Sequence, residues 1–129
     1  MTQEEIQQII SYAYPLIQKY YGKGKLPIPK IDTSHRNTYA MHSGEPEAQG
    51  EHAATSIAEY YKGVIYLYLP NIKDEEGLLR SIIHEYTHYL QNITPLKTRI
   101  SNQEYTYENN PYEIEAHKNE ENWKMFSQK

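Results

Sequence analysis

The chain has 129 residues, with 13 Lys and Arg against 17 Asp and Glu, and no cysteine. That length suits a single domain over residues 1–129 with a core needing no staples, and the lack of Cys excludes disulfides, a thiol nucleophile and thiolate zinc sites. A net charge of −4 without a basic tract speaks against direct nucleic-acid binding; with no apolar run of membrane-spanning length and no apolar leader after Met1, a cytoplasmic protein without a membrane partner is expected.

Thr2 to Tyr21 reads as a helix. Thr2 and Glu5 form a capping-box pair, Ile6, Ile9, Ile10, Ala13, Ile17, Tyr20 and Tyr21 recur at helical spacing, and Gly22 is a natural stop. Pro15 inside this pattern is expected to kink or split it. Lys23 to Lys30 is a connector rich in Gly and Pro, and Ile31 to His52 is polar and aperiodic, with Thr38 to Met41 as its one short strand candidate. No helical or strand spacing links His35, His42 and His52, which are expected to face water.

Ala54 to Tyr61 and Val64 to Leu69 read as strands joined by a tight turn at Lys62-Gly63. The second is apolar on both faces, as a covered strand would be. The composition is unusual in having 14 Tyr against one Phe and one Trp, and tyrosine packs its ring while its hydroxyl seeks a partner at the edge of the core.

The next helix carries the chemistry. His84-Glu85-Tyr86-Thr87-His88 has the form H-E-x-x-H, whose two imidazoles sit about one helical turn apart on one face. With His84 at zero and about 100° per residue, His88 falls near 40° and Glu85 near about 100°, with Ser81, Gln91 and Asn92 in or beside that arc. Leu78, Leu79, Ile82, Ile83, Tyr86, Tyr89, Leu90 and Ile93 fill the opposite arc. Asp74 is placed to cap the helix, Glu75 and Glu76 complement its dipole, and Pro95 limits its far end. Two imidazoles at this spacing suit one metal ion, with the adjacent Glu85 placed to act as a base. The plain alternative is a solvated polar face.

After Pro95 the chain is polar as far as Asn110, with Tyr105 and Tyr107 alternating as a short strand might. Pro111 to Phe126 reads as the last helix, with Asn110 as N-cap and Pro111 at its first position. On a wheel drawn over that whole length, Glu115 shares a face with Tyr112, Ala116, Asn119, Trp123 and Phe126, and a carboxylate on a packing face needs a partner or a metal. Glu115 is therefore the candidate third ligand, while Glu113 is assigned to first-turn dipole compensation.

With His84, Glu85, His88 and Glu115-Ala116 in hand, the chain resembles the gluzincin type of zinc metallopeptidase, in particular minimal gluzincins and ImmA/IrrE-like domains. The matching stretch runs from about Leu78 to Asn119, where Asn119 replaces the acidic residue that thermolysin-like members carry four positions after the ligand glutamate. The resemblance implies an α+β, zincin-like fold: an N-terminal helix, a small mostly antiparallel sheet, the motif helix and a C-terminal ligand helix. It implies that Zn²⁺ is held by His84, His88 and Glu115. It further implies that a metal-activated water hydrolyses a peptide or protein substrate with Glu85 as general base. Val64 to Leu69 would be the edge strand that takes up the peptide, and Tyr105, Tyr107, Tyr112 and His42 are unranked candidates for oxyanion stabilisation. A SprT-like arrangement would need His117 as a third histidine, and the same wheel turns it away from the packing face. Two other functions stay open: a non-catalytic, regulatory metal- or partner-binding module on the same fold, and hydrolysis of a non-peptide amide.

Overall fold

The structure, a computed structural model, describes residues 1–33, 58–61, 63–68, 71–91 and 110–128. Helix α1 (Gln3–Tyr21) is followed by β1 (Lys30–Asp32), β2 (Ala58–Tyr61), β3 (Val64–Leu67), helix α2 (Glu75–Leu90), helix α3 (Pro111–Glu120) and a 3₁₀ turn (Trp123–Phe126). The α+β class is as expected. The candidate strands at Thr38 to Met41 and around Tyr105 and Tyr107, together with His35, His42 and His52, lie outside the described residues.

The ends of α1 are set locally. Thr2 Oγ1 accepts from the N–H of Glu5 at 3.1 Å while Glu5 Oε1 accepts from the N–H of Thr2 at 3.0 Å, completing the capping box. Pro15 does not split the helix, which runs through it. Pro15 and Ser11, whose carbonyl loses its usual donor, are both exposed, so water can serve that carbonyl and the break in the ladder is tolerated. The opposite face buries Ile6, Ile10, Ala13, Tyr14 and Ile17.

The sheet has the order β1-β3-β2. It is mixed, not mostly antiparallel: β2 pairs antiparallel with β3, placing Tyr60 opposite Ile65, and β1 pairs parallel with β3, placing Ile31 opposite Ile65. Gly63 in the β2–β3 turn has φ 82°, a left-handed conformation that glycine adopts without steric cost. The central strand is β3, hydrogen-bonded on both sides, so it cannot be the free edge that the resemblance implied. Among the described residues, β2 is an edge strand of this sheet.

Helix α2 packs its apolar face against this sheet and α1. Leu78, Leu79, Ile82, Ile83, Tyr86 and Tyr89 are buried and join Ile65, Leu67, Tyr60 and the inner face of α1 in one core. Asp74 Oδ1 accepts from the N–H of Gly77 at 2.8 Å, which fixes the start of α2. The connector after α1 has little regular structure of its own and is held by tyrosines. Tyr86 donates to the carbonyl of Gly22, Tyr89 to that of Leu26 at 2.5 Å and Tyr14 to that of Pro29 at 2.6 Å. The phenols thus fill core volume and satisfy backbone at the core's rim.

The end of α3 departs from expectation. The helix stops at Glu120, and Trp123–Phe126 form a separate 3₁₀ turn. Phe126 is buried and Trp123 packs at the core's edge, but neither continues the angular progression of α3. No described helix is long and apolar enough to cross a membrane.

The packing predicts a contrast in stability. Ile82→Ala should cost about 2–5 kcal/mol through a buried cavity, and Thr2→Ala about 1 kcal/mol through the lost cap. Urea denaturation measures both; equal small losses would mean that α2 does not carry the core.

Candidate metal centre

Helix α2 presents two sides with different tasks. Its apolar residues lie in the core, while His84 and His88, one turn apart, project from the polar side towards α3. Their ring centroids are 4.8 Å apart and their Nε2 atoms 3.2 Å apart. Helix α3 lies across them and supplies a carboxylate between the two rings.

That carboxylate belongs to Glu113, not Glu115. Glu113 Oε2 lies 3.1 Å from His84 Nε2, and Glu113 Oε1 lies 3.0 Å from His88 Nε2. Glu113 and Ala116 are the buried residues of α3, whereas Glu115 is exposed and accepts from Gln91 Nε2 at 2.6 Å. The error has a physical cause. The wheel that favoured Glu115 took its inward direction partly from Trp123 and Phe126, which belong to the 3₁₀ turn beyond the helix. Within the ten residues of α3 the inward positions are Glu113, Ala116 and Glu120, spaced at helical intervals. The start of the helix is as expected: Asn110 caps it, accepting from the N–H of Tyr112 at 2.9 Å, and Pro111 opens it.

The spacing of the donor atoms is compatible with one tetrahedral metal. At ordinary zinc–ligand distances neighbouring ligand atoms stand about 3.3 Å apart; the two Nε2 atoms are 3.2 Å apart, and each has its own Glu113 oxygen, Oε2 at 3.1 Å from His84 and Oε1 at 3.0 Å from His88. Glu113 Oε2 is a buried oxygen with no aligned hydrogen-bond donor, which is costly unless positive charge lies beside it. His84, His88 and Glu113 thus form a group able to hold an ion.

A second group, His84, His117 and Glu120, has a different character. Glu120 Oε2 is only 2.6 Å from His84 Nδ1 and 3.0 Å from His117 Nδ1. A separation of 2.6 Å is short for two ligands of one ion and right for a proton shared between them. Glu120 therefore orients His84 through its outer nitrogen, with Nε2 turned inward. The side chain of Asn119, where an orienting acidic residue was sought, instead donates to Thr87 Oγ1 at 3.1 Å and ties α3 to α2. His117 is exposed, but its ring stands 4.9 Å from that of His84, edge to face, nearer the site than its wheel position indicated.

Electrostatics concentrate a demand for positive charge at the same point. Burial opposes the imidazolium form of His84, but the Glu113 and Glu120 carboxylates, with Glu85 behind them, lift its pKa to about 10. His88 is also raised, because Glu113 and Glu85 outweigh its burial. Burial would lift Glu113 too, yet the two histidines hold it below the ordinary carboxylate range. A cation among these donor atoms would meet the same demand.

Glu85 lies next to His84 but serves a different partner. Its Oε1 accepts from the backbone N–H of Tyr60 at 2.9 Å, so its carboxylate touches the outer side of β2. Burial pushes its carboxyl above the usual range, against the attraction of His84 and His88. Tyr112 is exposed on α3, and Tyr105, Tyr107 and His42 lie outside the described residues. Sequence reasoning missed Glu113, Glu120 and Gln91 as members of this constellation. The available signal was the helix start: counting only forward from Pro111 places Glu113 and Glu120 on one face.

Comparison of the chain with known protein families, curated proteins and solved structures finds no match.

The geometry reverses the ranking of the two glutamates. Glu113→Ala should weaken binding of added Zn²⁺ at least about 100-fold, as loss of one of three ligands, while Glu115→Ala has a much smaller effect. Chelator competition on both variants decides the order; a greater loss in Glu115→Ala would return the ligand role to that residue.

Proposed function

We propose that this chain is a zinc-dependent endopeptidase of the gluzincin type, with His84, His88 and Glu113 as metal ligands and Glu85 as general base. The observation that carries the reading is the convergence of two imidazole nitrogens and the buried carboxylate of Glu113, with the half-buried Glu85 carboxylate one residue from His84. A ligand set of two His and one Glu is that of catalytic zinc sites, which keep a position open for substrate or water. Ile114 follows the ligand glutamate where the resemblance leads one to expect alanine, so the support comes from geometry and not from the Glu115-Ala116 pair.

Bound Zn²⁺ would supply Lewis acidity, lowering the pKa of a water and polarising a carbonyl. The chain's own residues do the rest. Glu85, with its pKa raised by burial, takes the proton from the attacking water and returns it to the leaving amine. Glu120 holds the His84 ring by its outer nitrogen so that the ligand nitrogen keeps its direction. The outer side of β2, which places the N–H of Tyr60 against Glu85, is the edge on which an extended peptide would pair, bringing its backbone beside the base.

Two measurements test the reading together. Protein purified without added metal should contain close to one zinc per chain, and Glu85→Gln should retain that zinc and the fold while losing at least about 100-fold in hydrolysis across a peptide library. Retained zinc with no cleavage by the unaltered chain would point to a non-catalytic metal-binding module. Cleavage by Glu85→Gln at the unaltered rate would remove Glu85 from the mechanism.

A further inference from the structure

His88 is engaged at both ring nitrogens. Nε2 faces Glu113 and His84, and Nδ1 lies 2.8 Å from Gln91 Oε1. The other end of the Gln91 amide has two partners on α3: Nε2 is 2.6 Å from Glu115 Oε1 and 3.1 Å from the carbonyl oxygen of Tyr112. An ionised carboxylate and a backbone carbonyl only accept hydrogen bonds, so the NH₂ end of the amide must face them. The carbonyl end is thereby turned to His88, and it too only accepts. The proton must then sit on His88 Nδ1, and in the neutral ring the lone pair is left on Nε2, aimed at Glu113 and His84.

We propose that Gln91, oriented by Glu115, is a positioning residue that fixes His88 in its Nδ1–H tautomer and so presents Nε2 to a divalent cation shared with His84 and Glu113. The inference rests on the metal reading above and assigns roles to two residues that it leaves unused. Gln91 is suited to the task because it caps α2, its own N–H donating to the carbonyl of Thr87, so its backbone is fixed one turn beyond His88. Glu115 sits on the exposed side of α3, so the hydrogen-bond chain runs from the surface through Gln91 to the buried ring. Each histidine thus has its own acceptor at the outer nitrogen, Glu120 for His84 and Gln91 for His88.

The test measures zinc affinity by chelator competition in Gln91→Leu, Gln91→Glu combined with Glu115→Gln, Glu115→Ala, and Gln91→Leu combined with Glu115→Ala. The His88 ring nitrogens are read by ¹⁵N NMR with and without zinc. Gln91→Leu should weaken zinc by about 10- to 100-fold, the usual effect of losing such an outer partner, and should expose the Nδ1 proton to rapid exchange. Gln91→Glu keeps an acceptor for His88 but would set a carboxylate against Glu115, so it is made together with Glu115→Gln, which again places a donor opposite it, and should then stay within a few-fold of the unaltered chain. Glu115→Ala should cost a few-fold alone and nothing further when combined with Gln91→Leu. Equal damage from Gln91→Leu and from Gln91→Glu with Glu115→Gln would mean that an acceptor for His88 is not what Gln91 supplies, and overturns the proposal. So would an unchanged affinity in Gln91→Leu, or a Glu115→Ala effect that persists in the combined variant. If the unaltered chain takes up no zinc yet Gln91→Leu still releases the Nδ1 proton, the metal reading fails and the tautomer assignment stands.

Discussion

Everything at the site depends on one electrostatic constraint: two imidazole nitrogens and a carboxylate are brought within hydrogen-bonding distance of one another in a buried place. Such a group is stable only if positive charge lies at its centre. Protons on both histidines would meet that need only by holding two like charges 3.2 Å apart. A divalent ion coordinated by the same side chains would meet it without that repulsion.

The fold supplies this arrangement by giving α2 two roles. Its apolar face anchors the helix rigidly in the core with α1 and the sheet, and its polar side therefore holds two histidines in a fixed relation. Tyrosines extend the same anchoring outward by bonding the connector between α1 and β1 through their hydroxyls. Helix α3 is short and contributes only Ala116 to the buried apolar surface, so its polar contacts to α2 must help to set its rotation. Glu120 to His84, Asn119 to Thr87 and Glu115 to Gln91 are three such contacts along its length.

These contacts also give the site its layered character. Glu113 meets the histidines directly, while Glu120 and Gln91 act on the outer ring nitrogens and leave Nε2 as the inward atom. Glu85 stands apart from this layer and touches the outer side of β2, so Glu85 and the two histidines share a helix but have different neighbours.

Local periodicity and capping chemistry by themselves determined α1, the start and faces of α2 with His84, Glu85 and His88 on one side, the glycine turn after β2, and the start of α3 at Asn110-Pro111. These features depend on residues within a turn or two of each other, where spacing translates directly into geometry. Tertiary structure alone decided that Glu113, and not Glu115, faces the histidines, because α3 ends at Glu120 and its few apolar residues give the sequence no reliable inward direction. It also decided that three residues, Lys30–Asp32, pair parallel with β3 and make that strand central. A strand so short has no periodicity to detect, and its partner is distant in the chain. Gln91 was visible in the polar arc of α2, but its role depends on Glu115 and Tyr112 of another helix, a juxtaposition that no local pattern encodes.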